Sequence, residues 1–181
     1  VHLSLDQKIV VLHDETLDRT TNGKGLVSAL TLKTLQDFSI DGAHSIPTLA
    51  QVFDLVDRKC FINVELKGNA TAQPVCDLIE KYIAEKHWQY SDFIVSGFDW
   101  TMLQEVHNHN PKIPIGVLTA TDLDLAVAFA ESIAAFAIHP YFHLLTREKT
   151  GAMQQKGFKV FPWTANETED LDQLKSFQVN G

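Results

Sequence analysis

Short apolar, β-rich runs and longer amphipathic stretches take turns along most of this chain. The runs fall at Cys60–Leu66, Asp92–Ser96, Ile115–Leu118, Ala134–Ile138 and Phe158–Trp163. Between them lie helix-length segments at Thr71–Lys86, Thr101–Asn108, Asp122–Glu131, Thr146–Lys156 and Glu167–Phe177. Strand, helix, strand, at spacings of roughly two to three dozen residues, predicts βαβ units on a parallel sheet. A further amphipathic helix is predicted from Thr48 to Arg58, with Leu49, Val52, Phe53 and Val56 on one face. Gly157 falls where a helix-ending left-handed residue is wanted. Pro111 and Pro114 bracket the loop into the strand at Ile115.

Such a sheet either stays open and doubly wound or closes into a barrel. No Gly-x-Gly-x-x-Gly follows a first strand, so the dinucleotide-binding form of the open sheet has no support. Five such strands after an earlier hairpin fit an incomplete (β/α)8 barrel. The first 48 residues have another texture. Leu3–Lys8 turns into the apolar Ile9–Leu12 as a hairpin with a polar turn. A dense polar stretch, His13 to Gly23, follows directly. Loops after strands are where barrel enzymes keep their chemistry.

Two groups of residues could carry that chemistry. Alternate residues of a strand share a face, so Val64 and Leu66 are expected to point at the helices and Asn63, Glu65 and Lys67 into the barrel. An acid and a base inside a barrel are costly unless they bind something or satisfy each other as an ion pair. His13 ends a strand and opens the polar loop. An imidazole titrates near neutrality and suits a general acid or base, although a lone loop histidine is also an ordinary surface residue.

Charge and composition narrow the partners. A net charge of −8, with the acids spread along the chain, disfavours nucleic acid or an anionic membrane, which call for a basic face. It leaves open a phosphate-bearing substrate, because a bound cation reverses the field of an acidic pocket. No apolar run approaches the roughly 20 residues of a membrane span, so stable membrane insertion is not expected. Cys60 and Cys76 have neither metal spacing nor a disulfide framework and read as buried free thiols. Length predicts a single domain over residues 1–181.

Together the motifs form a pattern. The run from Ile9 through His13-Asp14-Glu15-Thr16-Leu17-Asp18-Arg19-Thr20-Thr21-Asn22-Gly23 to Gly25 resembles the signature of the glycerophosphodiester phosphodiesterase family. So do Ile46-Pro47-Thr48-Leu49 ahead of a helix and Asn63-Val64-Glu65-Leu66-Lys67-Gly68. Val160-Phe161-Pro162-Trp163-Thr164-Ala165-Asn166 is similar to its aromatic strand-end segment. The resemblance implies a triosephosphate-isomerase-type barrel and a divalent cation, calcium or magnesium, as cofactor. It also implies hydrolysis of a small-molecule glycerophosphodiester to glycerol 3-phosphate and an alcohol.

Carried over by position, His13 is one of two histidines that handle protons, and Glu65 is a metal-binding acid. Lys67 contacts the substrate phosphate or glycerol, and Trp163 lines the glycerol side of the pocket. Phe98, just after a strand, walls the alcohol side or simply packs. Arg19 anchors the loop behind His13 or, with its planar fork, contacts phosphate directly. Two other readings stay open: lysophospholipase D or phospholipase C-like action on a lipid, and a non-catalytic barrel that binds glycerol phosphate. The first calls for a long apolar wall or basic rim at the barrel mouth. The second has no need of His13, Glu65 and Lys67 together.

The family's other active-site residues, a His-Arg, a Glu-Asn and a Glu-x-Asp, fall before the position matched by Val1. Phe177–Gly181 matches the approach to the last strand. The expectation is therefore a barrel truncated at both ends, without its first strand, most of its second, and its last. The remaining metal ligands would lie upstream of residue 1. One carboxylate is a poor magnesium or calcium site, since hard cations want several oxygens. Residues 1–181 alone are thus expected to bind metal weakly and turn over little. Asp6-Gln7-Lys8 replaces the family's usual Asp-Gly turn, a change for hairpin geometry and not for catalysis.

Overall fold

The structure, a computed structural model, describes residues 1–181. In chain order its elements are β1 (His2–Leu3), β2 (Ile9–Val10), α1 (Leu32–Gln36), β3 (Ser39–Ile40), β4 (His44–Ser45) and α2 (Leu49–Val56). They continue with β5 (Ile62–Leu66), α3 (Ala72–Lys86), β6 (Phe93–Gly97), α4 (Trp100–His109), β7 (Ile115–Thr119) and α5 (Leu123–Ser132). The last are β8 (Ala137–Pro140), α6 (Arg147–Gln155), β9 (Lys159–Val160) and α7 (Thr168–Ser176). No helix is long and apolar enough to cross a membrane.

β5 to β9 form one parallel sheet in sequence order. Register aligns Val64 with Val95, Val95 with Ile115, Val117 with Ile138, and Ile138 with Val160. These side chains are all buried and form a continuous apolar layer beneath the helices. The result is part of a (β/α)8 barrel, five strands of its wall with their helices outside. At the β5 edge the Val1 amine donates to the Glu65 carbonyl at 2.6 Å, and the Gly68 amide donates to the Val1 carbonyl at 3.0 Å. The chain's first residue therefore runs alongside β5 as a parallel neighbour would.

The helices begin where side chains can take up free backbone amides. Thr48 and Gln51 make a reciprocal capping box at α2, and Asp99, Asp122 and Thr146 cap α4, α5 and α6. Caps of this kind are each worth about 1 kcal/mol. Gly157 ends α6 with φ +93°, a left-handed conformation that costs glycine nothing. α2 packs on the sheet through Phe53, which touches Tyr82, Trp88 and Phe93 at ring distances of 5.1, 5.7 and 4.9 Å. Tyr82 Oη keeps its polar end satisfied by donating to the Asp54 carboxylate at 2.9 Å.

A second, smaller core sits under the polar loop, built from Val10, Leu12, Leu17, Val27, Leu35 and Ile46. It explains α1 and the β3–β4 hairpin, for which the sequence reading names no element: Leu35 plugs this core from a helix of only five residues. The β1–β2 hairpin is present, pairing His2 with Val10 and Leu3 with Ile9, and Gln7 takes φ +57° in its turn.

Three expectations need correction. The strand predicted from Ala134 starts at Ala137, because Ala134 adopts φ +48° in the turn that ends α5. The strand predicted over Phe158–Trp163 pairs regularly only at Lys159–Val160, with Trp163 joined to Tyr141 by an isolated parallel bridge. Cys60 is exposed in the loop before β5, and only Cys76 is the buried thiol. Phe53 should be the residue on which the outer layer most depends. Phe53→Ala is expected to lower unfolding free energy by about 3–5 kcal/mol in urea titrations, the usual cost of emptying an aromatic site. A loss under about 1 kcal/mol would contradict that packing.

Candidate active site

Strand alternation gives the inner face of the sheet its own set of residues. Phe61, Asn63, Glu65 and Lys67 come from β5 and its ends, and Ile94 and Phe98 from β6 and the residue beyond it. Leu118 comes from β7, His139 from β8, and Phe161 and Trp163 from the segment after β9. With His13 they line one cleft of about 560 Å³. The predicted alternation on β5 holds: Val64 and Leu66 are buried under the helices, and Glu65 and Lys67 face the cleft.

Glu65 and Lys67 meet there, Nζ to Oε1 at 2.8 Å. Both side chains keep about a quarter of their surface accessible (27% and 22%), so the pair is ready for a ligand without being solvated as a surface pair is. Asn63 Oδ1 accepts from Ser96 Oγ at 2.9 Å, which ties β5 to β6 beneath the pair.

His13 reaches the cleft from the polar loop, and most of that loop's polar residues are spent on folding it. Thr21 Oγ1 donates to the Leu17 carbonyl and accepts from the Gly23 amide. Asn22 and Asp18 accept from the amides of Ser39 and Gly25. Arg19 grips Asp14 with two hydrogen bonds, Nε to Oδ2 at 2.6 Å and a terminal nitrogen to Oδ1 at 2.8 Å. Asp14 in turn meets His13 Nδ1 at 2.6 Å. The Arg19 guanidinium, and then His13, hold the Asp14 carboxyl well below the usual carboxylate range. An Asp14 that stays ionised favours a proton on His13 Nδ1, leaving Nε2 free. Arg19 is thus placed as the anchor the sequence suggested, behind His13.

Trp163 and Phe98 stand edge to face at 5.4 Å and close one side of the cleft. The Trp163 indole donates to the His139 carbonyl at 2.9 Å, so its ring is held by β8. The residues that the resemblance points to, His13, Glu65, Lys67 and Trp163, and the strand-end Phe98 therefore border the same cleft.

Two further histidines stand at or beside this site. His2 is buried, with Nε2 3.3 Å from the His13 carbonyl, and supports that residue's backbone. Burial holds its imidazole below the usual histidine range. From the sequence, His139 at a strand end before Pro140 could reach the pocket mouth, although a lone histidine there is more often structural. It proves to be 6% exposed, on the cleft floor, with burial pulling its pKa down to about 4 against the opposing charge of Glu65.

The donor set for a cation is incomplete within residues 1–181. Glu65 is the one carboxylate on the cleft, and one of its oxygens already meets Lys67. An adjoining groove adds Glu15 and Asp99, but Asp99 Oδ1 is taken up by the amides that start α4. Asp77, Glu80 and His109 do bring ligand atoms within 4.8 Å of one another, on α3 and α4, which cover the other face of the sheet from the cleft. Glu65 fits as one ligand of a cation; it does not make a site by itself.

His139 gives this geometry a pH signature. Its folded pKa is lowered, so below the ordinary histidine value near 6.5 the unfolded chain binds the proton first. Its contribution to stability is then lost as pH falls from about 6.5 to about 4 and changes no further below that. In an NMR titration the His139 ring should stay neutral until pH approaches 4. Protonation near 6.5 in the folded protein would contradict its burial.

Comparison with known proteins agrees with the geometry. The model of the glycerophosphoryl diester phosphodiesterase family matches residues 1–181. A glycerophosphodiester phosphodiesterase of Caldanaerobacter subterraneus is 32% identical over 100% of this chain and 78% of its own length. One from Bacillus altitudinis is 31% identical, again over 100% and 78%. Among solved structures, the glycerophosphodiester phosphodiesterase of Thermotoga maritima superposes with TM-score 0.81 at 26% identity, over 100% of this chain and 77% of that one. An Oleispira antarctica phosphodiesterase in complex with its product sn-glycerol-3-phosphate gives TM-score 0.86 at 21% identity, over 99% and 76%. A partial barrel of this type, matched from end to end by one family model, belongs to the glycerophosphoryl diester phosphodiesterase family.

Proposed function

We propose that this protein hydrolyses small-molecule glycerophosphodiesters to glycerol 3-phosphate and an alcohol, with His13 moving protons in the cleft. The observation that carries the reading is the meeting of His13, Glu65 and Lys67 on one cleft in a chain matched throughout by the family model. A phosphodiester has one negative charge and a poor alkoxide leaving group. Lys67 offers a point charge for the phosphoryl oxygens, already held over the cleft by Glu65. His13 Nε2, oriented through Asp14 and Arg19, is the atom free to take or give a proton. Trp163 and Phe98 supply an apolar wall for the carbon side of the substrate, Trp163 on the glycerol half.

A divalent cation of the magnesium or calcium type, with Glu65 as one ligand, would neutralise the phosphoryl charge when bound. The remaining ligands and a second proton-handling histidine come, on this reading, from outside residues 1–181. The relatives' greater length supports that.

The test is release of glycerol 3-phosphate from glycerophosphocholine by the full-length protein. Release should require a divalent cation. It should fall by a factor of about 10² to 10⁴ in His13→Ala, the range for losing one general acid or base. Residues 1–181 alone should show no useful turnover. Folded full-length protein that releases nothing with any divalent cation, or a His13→Ala variant at the wild-type rate, would refute the assignment.

A further inference from the structure

His139 stands in a notch that fixes its ring. A side-chain carbon at Gly116 would lie 2.5 Å from His139 Nε2 and 2.8 Å from Cε1, so the ring edge fills space that only glycine on β7 leaves open. Phe161 meets the ring edge-on at 5.4 Å, and Trp163 holds the His139 carbonyl. Nε2 is fully enclosed and has no hydrogen-bond partner. The ring nevertheless lines the cleft, which leaves Nδ1 as the nitrogen that faces it.

The enclosure of Nε2 selects the tautomer. A proton there would be a buried donor with no acceptor, which folded proteins tolerate less well than an unpaired acceptor. The neutral ring therefore carries its proton on Nδ1. Burial keeps it uncharged at neutral pH, so it is suited to binding and not to proton transfer.

We propose that His139 is a fixed, neutral Nδ1–H donor on the cleft floor that binds a hydroxyl oxygen of a polyol. On the reading above, which this inference rests on, that is the glycerol half of the substrate. The position favours a hydroxyl over a phosphoryl oxygen. The cationic group that attracts phosphate, Lys67, is on β5, whereas His139 is three strands away on β8, hydrogen-bonded to Trp163.

Two measurements on the full-length protein test this. Histidine-selective 15N NMR of the wild type should show His139 as the neutral Nδ1–H tautomer at neutral pH. Calorimetry with sn-glycerol 3-phosphate and inorganic phosphate then separates the two halves of the ligand. His139→Leu should bind glycerol 3-phosphate about tenfold more weakly, the size of one lost neutral hydrogen bond, with phosphate affinity unchanged. His139→Asn, whose amide N–H stands near the Nδ1 position, should stay within about threefold of wild type. An Nε2–H tautomer or a charged ring overturns the proposal even if the leucine variant fails to fold. So does equal glycerol 3-phosphate affinity in His139→Leu, or an equal loss for phosphate. Wild type that binds neither ligand overturns the diesterase reading and the polyol assignment together. It is told apart from failure at His139 alone because the variants then do not differ.

Discussion

Every second side chain of β5 to β9 must face away from the covering helices, and that constraint decides where chemistry can stand. Val64, Val95, Val117, Ile138 and Val160 occupy the helix side, each burial worth about 1.5–3 kcal/mol. Their alternates are left for the cleft. A one-residue slip of β5 would drive Glu65 and Lys67 under α2 and α3 and expose Val64, which adds a desolvation cost to the lost burial. The apolar layer therefore holds the ion pair in place as firmly as it holds the sheet together.

The polar loop follows a different rule. Its residues are tied to one another and seated on a small separate core, so the placement of His13 depends on Leu12, Leu17 and Leu35 more than on the sheet. Arg19, Asp14 and His13 then form a chain of contacts that orients the imidazole. The two sides of the cleft end up chemically distinct. Glu65 and Lys67, with His13, border one side, and the neutral His139 with Trp163, Phe161 and Phe98 forms the other. A ligand with a charged end and a neutral, hydroxyl-bearing end matches that polarity.

Much of this was legible in the sequence because it is written in short-range periodicity. The period-two pattern of Ile62–Leu66 and the caps before the helices locate most elements to within a few residues. Local signals failed where the deciding partner is distant. Ala134-Ala135-Phe136 has strand composition, yet Ala134 turns left-handed to close α5. α1 is too short to announce itself and exists because Leu35 finds the small core. Glu65, Lys67 and His13 were readable from position and motif, whereas His139 gains its meaning from the hollow at Gly116, on a neighbouring strand. The Asp77, Glu80 and His109 cluster likewise needs two helices side by side.

A crystal structure of the full-length protein with sn-glycerol 3-phosphate tests the central claim most directly, that the inner sheet face is a polarised site for that ligand. The phosphoryl group should lie within hydrogen-bond reach of Lys67, about 2.7–3.2 Å, with the glycerol carbons against Trp163. A ligand bound in the reverse sense, with its phosphate toward His139, or one seated outside the cleft, would contradict it.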